Sequence, residues 1–179
     1  MRTTISVVEG SRFATVKNAI TSSVSIDLQN CSGLEGVPDQ EQIREWVAGA
    51  LLASNTRDAT EINLAVRLVG TDESRALNKR YRQHDNPTNV LSFPFDGLAG
   101  LPAVPIRSLG DLVICVPLVE REAGEQDKNA NSHWAHIVIH GTLHLLGYDH
   151  QDDEQAAVME TLESRVLKTF GIQNPYLDI

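Results

Sequence analysis

The chain has 179 residues, with 15 Lys and Arg against 24 Asp and Glu, a formal net charge of −9. That length fits one domain with one core, and the acidic balance excludes a surface that is basic throughout, leaving only local cationic patches for an anionic partner. No apolar run approaches the roughly 18 residues of a membrane-spanning helix, and two cysteines are too few for a disulfide framework.

Residues 1–23 carry Arg2, Arg12 and Lys17 among many Ser and Thr, without caps, without amphipathic period and without the apolar stretch of a secretory signal. They read as a poorly ordered extension, followed by a single domain over 24–179 in a cytoplasmic protein with reduced cysteines. Residues 24–28 alternate apolar and polar as a half-buried strand does. Pro38 and Asp39 open a helix to about Ala53, with Ile43, Trp46, Val47, Ala50 and Leu51 as its core stripe. Residues 61–69 alternate again as a strand, and Thr71 or Asp72 caps a helix that buries Leu77 and Tyr81. Arg75, Lys79 and Arg82 recur at i, i+4 and i+7, so one face of that helix is basic.

Residues 90–95 and 111–116 are apolar runs of strand length, Cys115 being a core residue, and 96–109 between them, rich in Gly and Pro, reads as a mobile loop. Pro117 starts a helix to about Glu125, and Ser132 caps a further helix, 134–146, apolar on nearly every side and therefore central. Asp152 and Asp153 cap the last helix, whose buried stripe is Met159, Leu162, Val166 and Phe170 and which Gly171 stops. Strands and helices mix without strict alternation, which predicts an α+β fold: helices packed around a small mixed β-sheet of about four strands.

The central helix carries His140-Gly141-Thr142-Leu143-His144-Leu145-Leu146-Gly147-Tyr148-Asp149-His150. His140 and His144 share a helix face, and Gly147 lets the chain turn so that His150 returns toward them. Three imidazoles with an open fourth position form a zinc site of the catalytic kind, one ion per chain. His136 is the rival ligand, but on a straight helix it lies about 12 Å along the axis from His144, so one ion cannot join both with His140. It reads as a packed residue behind the ligands, and His133 as a surface residue near the helix start. Asp149 either orients the His150 imidazole or bonds its own turn backbone.

The spacing matches the metzincin protease pattern H-E-x-x-H-x-x-G-x-x-H except at Gly141, where those proteases carry the glutamate that acts as general base. Read more closely, H-G-x-L-H-L-x-G-Y-D-H resembles the signature of the YbeY family of bacterial rRNA maturation factors. Asn86-Pro87-Thr88-Asn89-Val90-Leu91-Ser92-Phe93-Pro94-Phe95 and Gly110-Asp111-Leu112-Val113-Ile114-Cys115 resemble two further segments of that family, in the same order.

The resemblance implies a metal-dependent endoribonuclease, specific for single-stranded RNA, that matures the 3′ end of small-subunit (16S) rRNA and serves ribosome quality control. Its partners would be rRNA, the ribosomal small subunit and its assembly factors, with no DNA and no membrane. The family's catalytic arginine falls in a V-R-[IL]-V segment, which places it at Arg67. Arg75, Lys79 and Arg82 are then candidate RNA contacts and Ser92 a candidate donor in the cleft. Two other classes compete: a metallopeptidase using another base such as Asp149, and a non-catalytic ribosome assembly factor whose zinc is structural.

Overall fold

The computed structural model describes residues 20–56, 61–95 and 106–176. Four strands form one mixed sheet in the order β1-β2-β4-β3: β1 (Val24–Asn30), β2 (Glu61–Val69), β3 (Val90–Pro94) and β4 (Ile106–Cys115). β1, β2 and β4 run parallel, and β3 pairs antiparallel with β4 at one edge. Among the described residues five long helices flank the sheet: α1 (Gln40–Ala53), α2 (Thr71–Arg82), α3 (Val116–Glu125), α4 (Ala130–Leu145) and α5 (Asp153–Thr169). The α+β architecture and strand number agree with the periodicity argument.

Strand alternation sorts side chains between two layers. Ile62, Leu64, Val66, Leu112 and Ile114 enter the main core with α1, α4 and α5. Val69, Leu91, Val113 and Cys115 face the other way, against Leu118 and Leu77. α4 touches α1, α3, α5, β3 and β4, which explains its nearly all-round apolar surface. Gly110, opposite Pro94 of β3 and beside the register shift between β2 and β4, has φ +125°, and a Cβ there would stand 2.1 Å from the Phe93 carbonyl oxygen, so only glycine fits.

Several boundaries differ from the sequence expectation. Residues 106–109 belong to β4 rather than to a loop, because Leu109 is buried and its carbonyl accepts from Phe95 N at 3.1 Å; 96–105 lie outside the described residues. α4 starts four residues early, with Asn129 as its cap through a bond to Ser132 N, and α2 starts after Gly70 with no side-chain cap. Tyr81 is 49% exposed rather than buried; Ser74 and Asn78 turn inward on α2 and bond the carbonyls of Thr88 and Asn86. Residues 20–23 are helical and Ile20 packs against the core; 1–19, the rest of the expected extension, lie outside the described residues. Among the described residues no helix is long and apolar enough to cross a membrane.

Candidate metal centre

α4 delivers the first two histidines and its C-terminal cap the third. Gly147, at φ +91°, closes the helix in a Schellman motif: Gly147 N donates to His144 O at 3.0 Å and Tyr148 N to Leu143 O at 3.0 Å. The left-handed residue reverses the chain and brings His150 back over the helix end. The His150 ring stacks on His140 with centroids 5.5 Å apart and meets His144 edge-on at 5.0 Å. One ligand nitrogen from each of the three lies within 4.8 Å of the others.

The hydrogen bonds at the far side of the rings decide what these nitrogens can do. His140 Nδ1 lies 2.7 Å from Glu163 Oε1, and His144 Nδ1 lies 3.0 Å from the Tyr148 carbonyl oxygen. A carboxylate and a carbonyl only accept, so both Nδ1 atoms donate. Burial, then the neighbouring His140 and His150, push the His144 pKa down, which favours the neutral ring. Neutral rings protonated at Nδ1 present bare lone pairs at Nε2, and the two Nε2 atoms stand only 3.1 Å apart. Two lone pairs at that distance repel unless a cation lies between them. Tetrahedral zinc with bonds near 2.1 Å sets its ligand nitrogens roughly 3.4 Å apart, so the donor set fits the ion. The three rings open on a cleft of about 760 Å³ whose walls include Arg82, Asn89, Ser92 and Asp149.

Gly141 has a steric reason. Its Cα faces the sheet, and a Cβ there would sit 2.8 Å from Leu112 Cδ2, 3.2 Å from Val90 Cγ2 and 3.3 Å from Ser92 Oγ. A side chain at 141 would point into β3 and β4, not toward the histidines. Ser92 donates instead to the Gly141 carbonyl at 3.1 Å, fastening the edge strand to the metal helix.

The other sequence candidates fall at varied distances from this centre. His136 reaches Glu163 Oε2 at 3.2 Å and Tyr176 Oη at 3.2 Å, behind His140. Asp149 accepts from His150 N at 2.8 Å and from Gln151 Nε2 at 2.6 Å, the turn-aspartate arrangement; its nearest imidazole contact is His144 at 3.9 Å. His133 is buried rather than exposed and pairs with Glu122 at 2.9 Å.

Arg67 does not line the cleft. Its register partner Val113 belongs to the layer opposite α4, and Arg67 Nε donates to Glu73 Oε1 at 2.8 Å on that far face. The basic face of α2 is also divided. Arg75 and Lys79 both bind Asp85, at 2.7 and 2.8 Å, whereas Arg82 lies over the Phe93 ring and donates to the Ser92 carbonyl at the cleft wall.

Glu163 was missed by the sequence reading, although a signal existed. It sits one residue after Leu162 within the apolar stripe of α5, where a solvated acid has no place, and it is fully buried. Its neighbour Tyr176 comes from the segment after α5 and carries no periodicity.

A sequence profile described as Endoribonuclease YbeY matches residues 29–171. The chain is 47% identical over 155 residues to the Endoribonuclease YbeY of Cellvibrio japonicus, covering 87% of this chain and 84% of that one. It is 53% identical over 141 residues to the protein of the same name from Alkalilimnicola ehrlichii, covering 79% and 83%. The solution structure of a Thermotoga maritima protein superposes with a TM-score of 0.50 over 86% of this chain and 100% of that one, at 23% identity, a likeness of fold.

Proposed function

The chain belongs to the Endoribonuclease YbeY family, and on that premise we propose that it is a zinc-dependent endoribonuclease that cuts single-stranded RNA, matures the 3′ end of small-subunit (16S) rRNA and serves ribosome quality control. RNA cleavage follows from the family. The zinc dependence rests on the His140 and His144 Nε2 atoms, 3.1 Å apart with both Nδ1 atoms engaged elsewhere. The rRNA site, the small subunit and its assembly factors as partners, and a cytoplasmic place of work are the family's expectations carried to this chain.

His140, His144 and His150 would hold the ion. Zinc in such a site supplies Lewis acidity to a phosphoryl oxygen and lowers the pKa of water. Among the described residues Arg82 is the cation lining the cleft wall; one of its five N–H donors goes to Ser92, so others can meet a phosphate. Asp149 is a weak proton acceptor, because the His150 backbone N–H holds its carboxyl below the usual range. Arg67, on the far face, is assigned to gripping the strand away from the reacting phosphate.

The test is cleavage of one labelled sequence as single strand and as duplex, with chelator and with zinc restored. Cutting of the single strand alone, lost with chelator and regained with zinc, supports the reading. Unchanged cutting in chelator overturns the zinc dependence. Casein cleavage with RNA left intact would favour a peptidase. Ribosome binding with intact RNA would favour an assembly factor.

A further inference from the structure

Behind His140 the molecule buries an anion. Glu163 has no solvent exposure, yet its carboxylate is fully engaged: Oε1 by His140 Nδ1–H at 2.7 Å, Oε2 by His136 Nε2 at 3.2 Å and by the Tyr176 hydroxyl. Burying a carboxylate is costly unless it is paired and hydrogen-bonded, and here both oxygens have partners.

The geometry points to Glu163 as the positioning residue of the metal centre: its carboxylate fixes His140 in the Nδ1–H tautomer with Nε2 aimed at the ion, and the segment carrying Tyr176 helps to hold that carboxylate in place. The inference rests on His140, His144 and His150 being the ligands.

Three observations lead there. An imidazole has two nitrogens, and the bond at one decides which lone pair the other offers. Glu163 can only accept, so it selects Nε2 of His140 for the cleft. His136 is oriented by the same anion, and its Nδ1 is buried without a partner. A lone pair tolerates that better than an N–H does, so the proton belongs on Nε2, facing Glu163. Tyr176 arrives from beyond α5, its backbone N bonded to Asn174 Oδ1 at 3.0 Å while Asn174 accepts from Ser164 Oγ at 2.9 Å. The segment 174–176 is thus fastened to α5 at two points, one of them the metal centre's own anion. Three neutral imidazoles also leave a divalent ion uncompensated, and a buried carboxylate one ring away offsets part of that charge.

A second donor set competes for the ion: His136, His140 and Glu163 also bring ligand atoms within 4.8 Å of one another. There the ion would displace the His140–Glu163 hydrogen bond and sit in the closed interior, away from the cleft.

The test measures zinc affinity by competition with a chromophoric chelator and the His140 tautomer by long-range nitrogen–proton NMR. In the wild-type protein His140 is expected as Nδ1–H, free and zinc-loaded; an Nε2–H tautomer overturns the proposal without any variant. Glu163→Gln, with its fold checked by melting, is expected to weaken zinc binding by about 10- to 100-fold and to leave His140 a mixture of tautomers. Wild-type affinity and tautomer in that variant overturn it. Complete loss of zinc from Glu163→Gln, with full retention in His144→Ala, places the ion in the buried triad and also overturns it. His144→Ala at wild-type affinity refutes the ligand set whatever Glu163→Gln does, whereas wild-type affinity in Glu163→Gln beside zinc loss from His144→Ala overturns only the positioning role, so the two failures are distinguishable.

Discussion

Gly141 lies so close to Leu112 that a methyl group on its Cα would stand 2.8 Å from Leu112 Cδ2. This contact ties the metal helix to β4 and leaves no room for the zincin glutamate. Gly141→Ala gains about 1 kcal/mol of helix propensity but overpacks a filled site, at roughly 1–3 kcal/mol. The expected net effect is destabilisation on the order of 1 kcal/mol, or about 2–4 °C in Tm for a domain of this size. Gly141→Glu should cost more and confer no peptidase activity, because its side chain would be driven into the sheet. A Gly141→Ala protein that melts above wild type would show that Leu112 and Val90 can yield.

Purified protein is expected to carry about one equivalent of zinc, and alanine at His140, His144 or His150 should remove most of it. His136→Ala should keep most, since its contacts are to Glu163 and Tyr176 on the side away from the cleft. Metal analysis of the four variants settles the assignment; equal loss from His136→Ala and His140→Ala would contradict it.

The helix spacing of His140 and His144 and the glycine that turns the chain back were readable because each is a local rule of the backbone. So was the alternation of β2, which gives Arg67 and Val66 opposite faces. Which face meets the histidines is set by how α4 packs on β3 and β4, and no local pattern in β2 carries that. The burial of His133 and the convergence of Tyr176 on Glu163 depend on long-range packing in the same way. Glu163 lies between these cases. Its place in an apolar stripe marks it as an anomaly, but the partners that explain it come from α4 and the segment after α5.

The placement of Arg67 sets a kinetic expectation. On the proposed reading Arg67 grips RNA from the far face, away from the phosphate at the histidines. Arg67→Ala should therefore raise the RNA concentration needed for half-maximal cleavage, while the single-turnover rate at saturation stays within about fivefold, as for loss of an exposed pair. Arg82→Ala, at the cleft wall, should lower the saturated rate on the order of 100-fold if its guanidinium stabilises the transition state. The opposite ranking, with zinc content and melting unchanged in both, would put Arg67 at the reacting phosphate.

Asp85 holds two of the three cations on the basic face of α2, and their bonds bring its carboxyl down to about 2, so it stays charged wherever the protein is folded and working. Asp85→Asn should free Arg75 and Lys79 for phosphate. Single-stranded RNA binding should tighten at low salt, and the slope of log affinity against log salt should steepen by up to about 1.4, near 0.7 for each cation engaged. Unchanged affinity and slope would mean that this helix face does not meet RNA.

The buried carboxylate also predicts an acid limb to stability. Glu163 titrates near 4.5 when unfolded and at about 2 in the native protein: burial opposes the shift, and the bonds from His136 and His140 more than reverse it. A depressed native pKa stabilises the fold above the unfolded value and loses that stabilisation as protons bind first to the unfolded chain. The contribution is therefore complete above about pH 4.5 and falls away between there and about pH 2, with an upper magnitude on the order of 3 kcal/mol. Melting curves of metal-free protein in chelator, from pH 5 down to pH 2.5, isolate this effect from zinc release. Wild-type Tm should fall more steeply over that range than that of Glu163→Gln, which has no carboxyl to protonate at this position. Parallel profiles would mean that the Glu163 carboxyl titrates alike in the folded and unfolded chains, and that its three bonds favour neither protonation state.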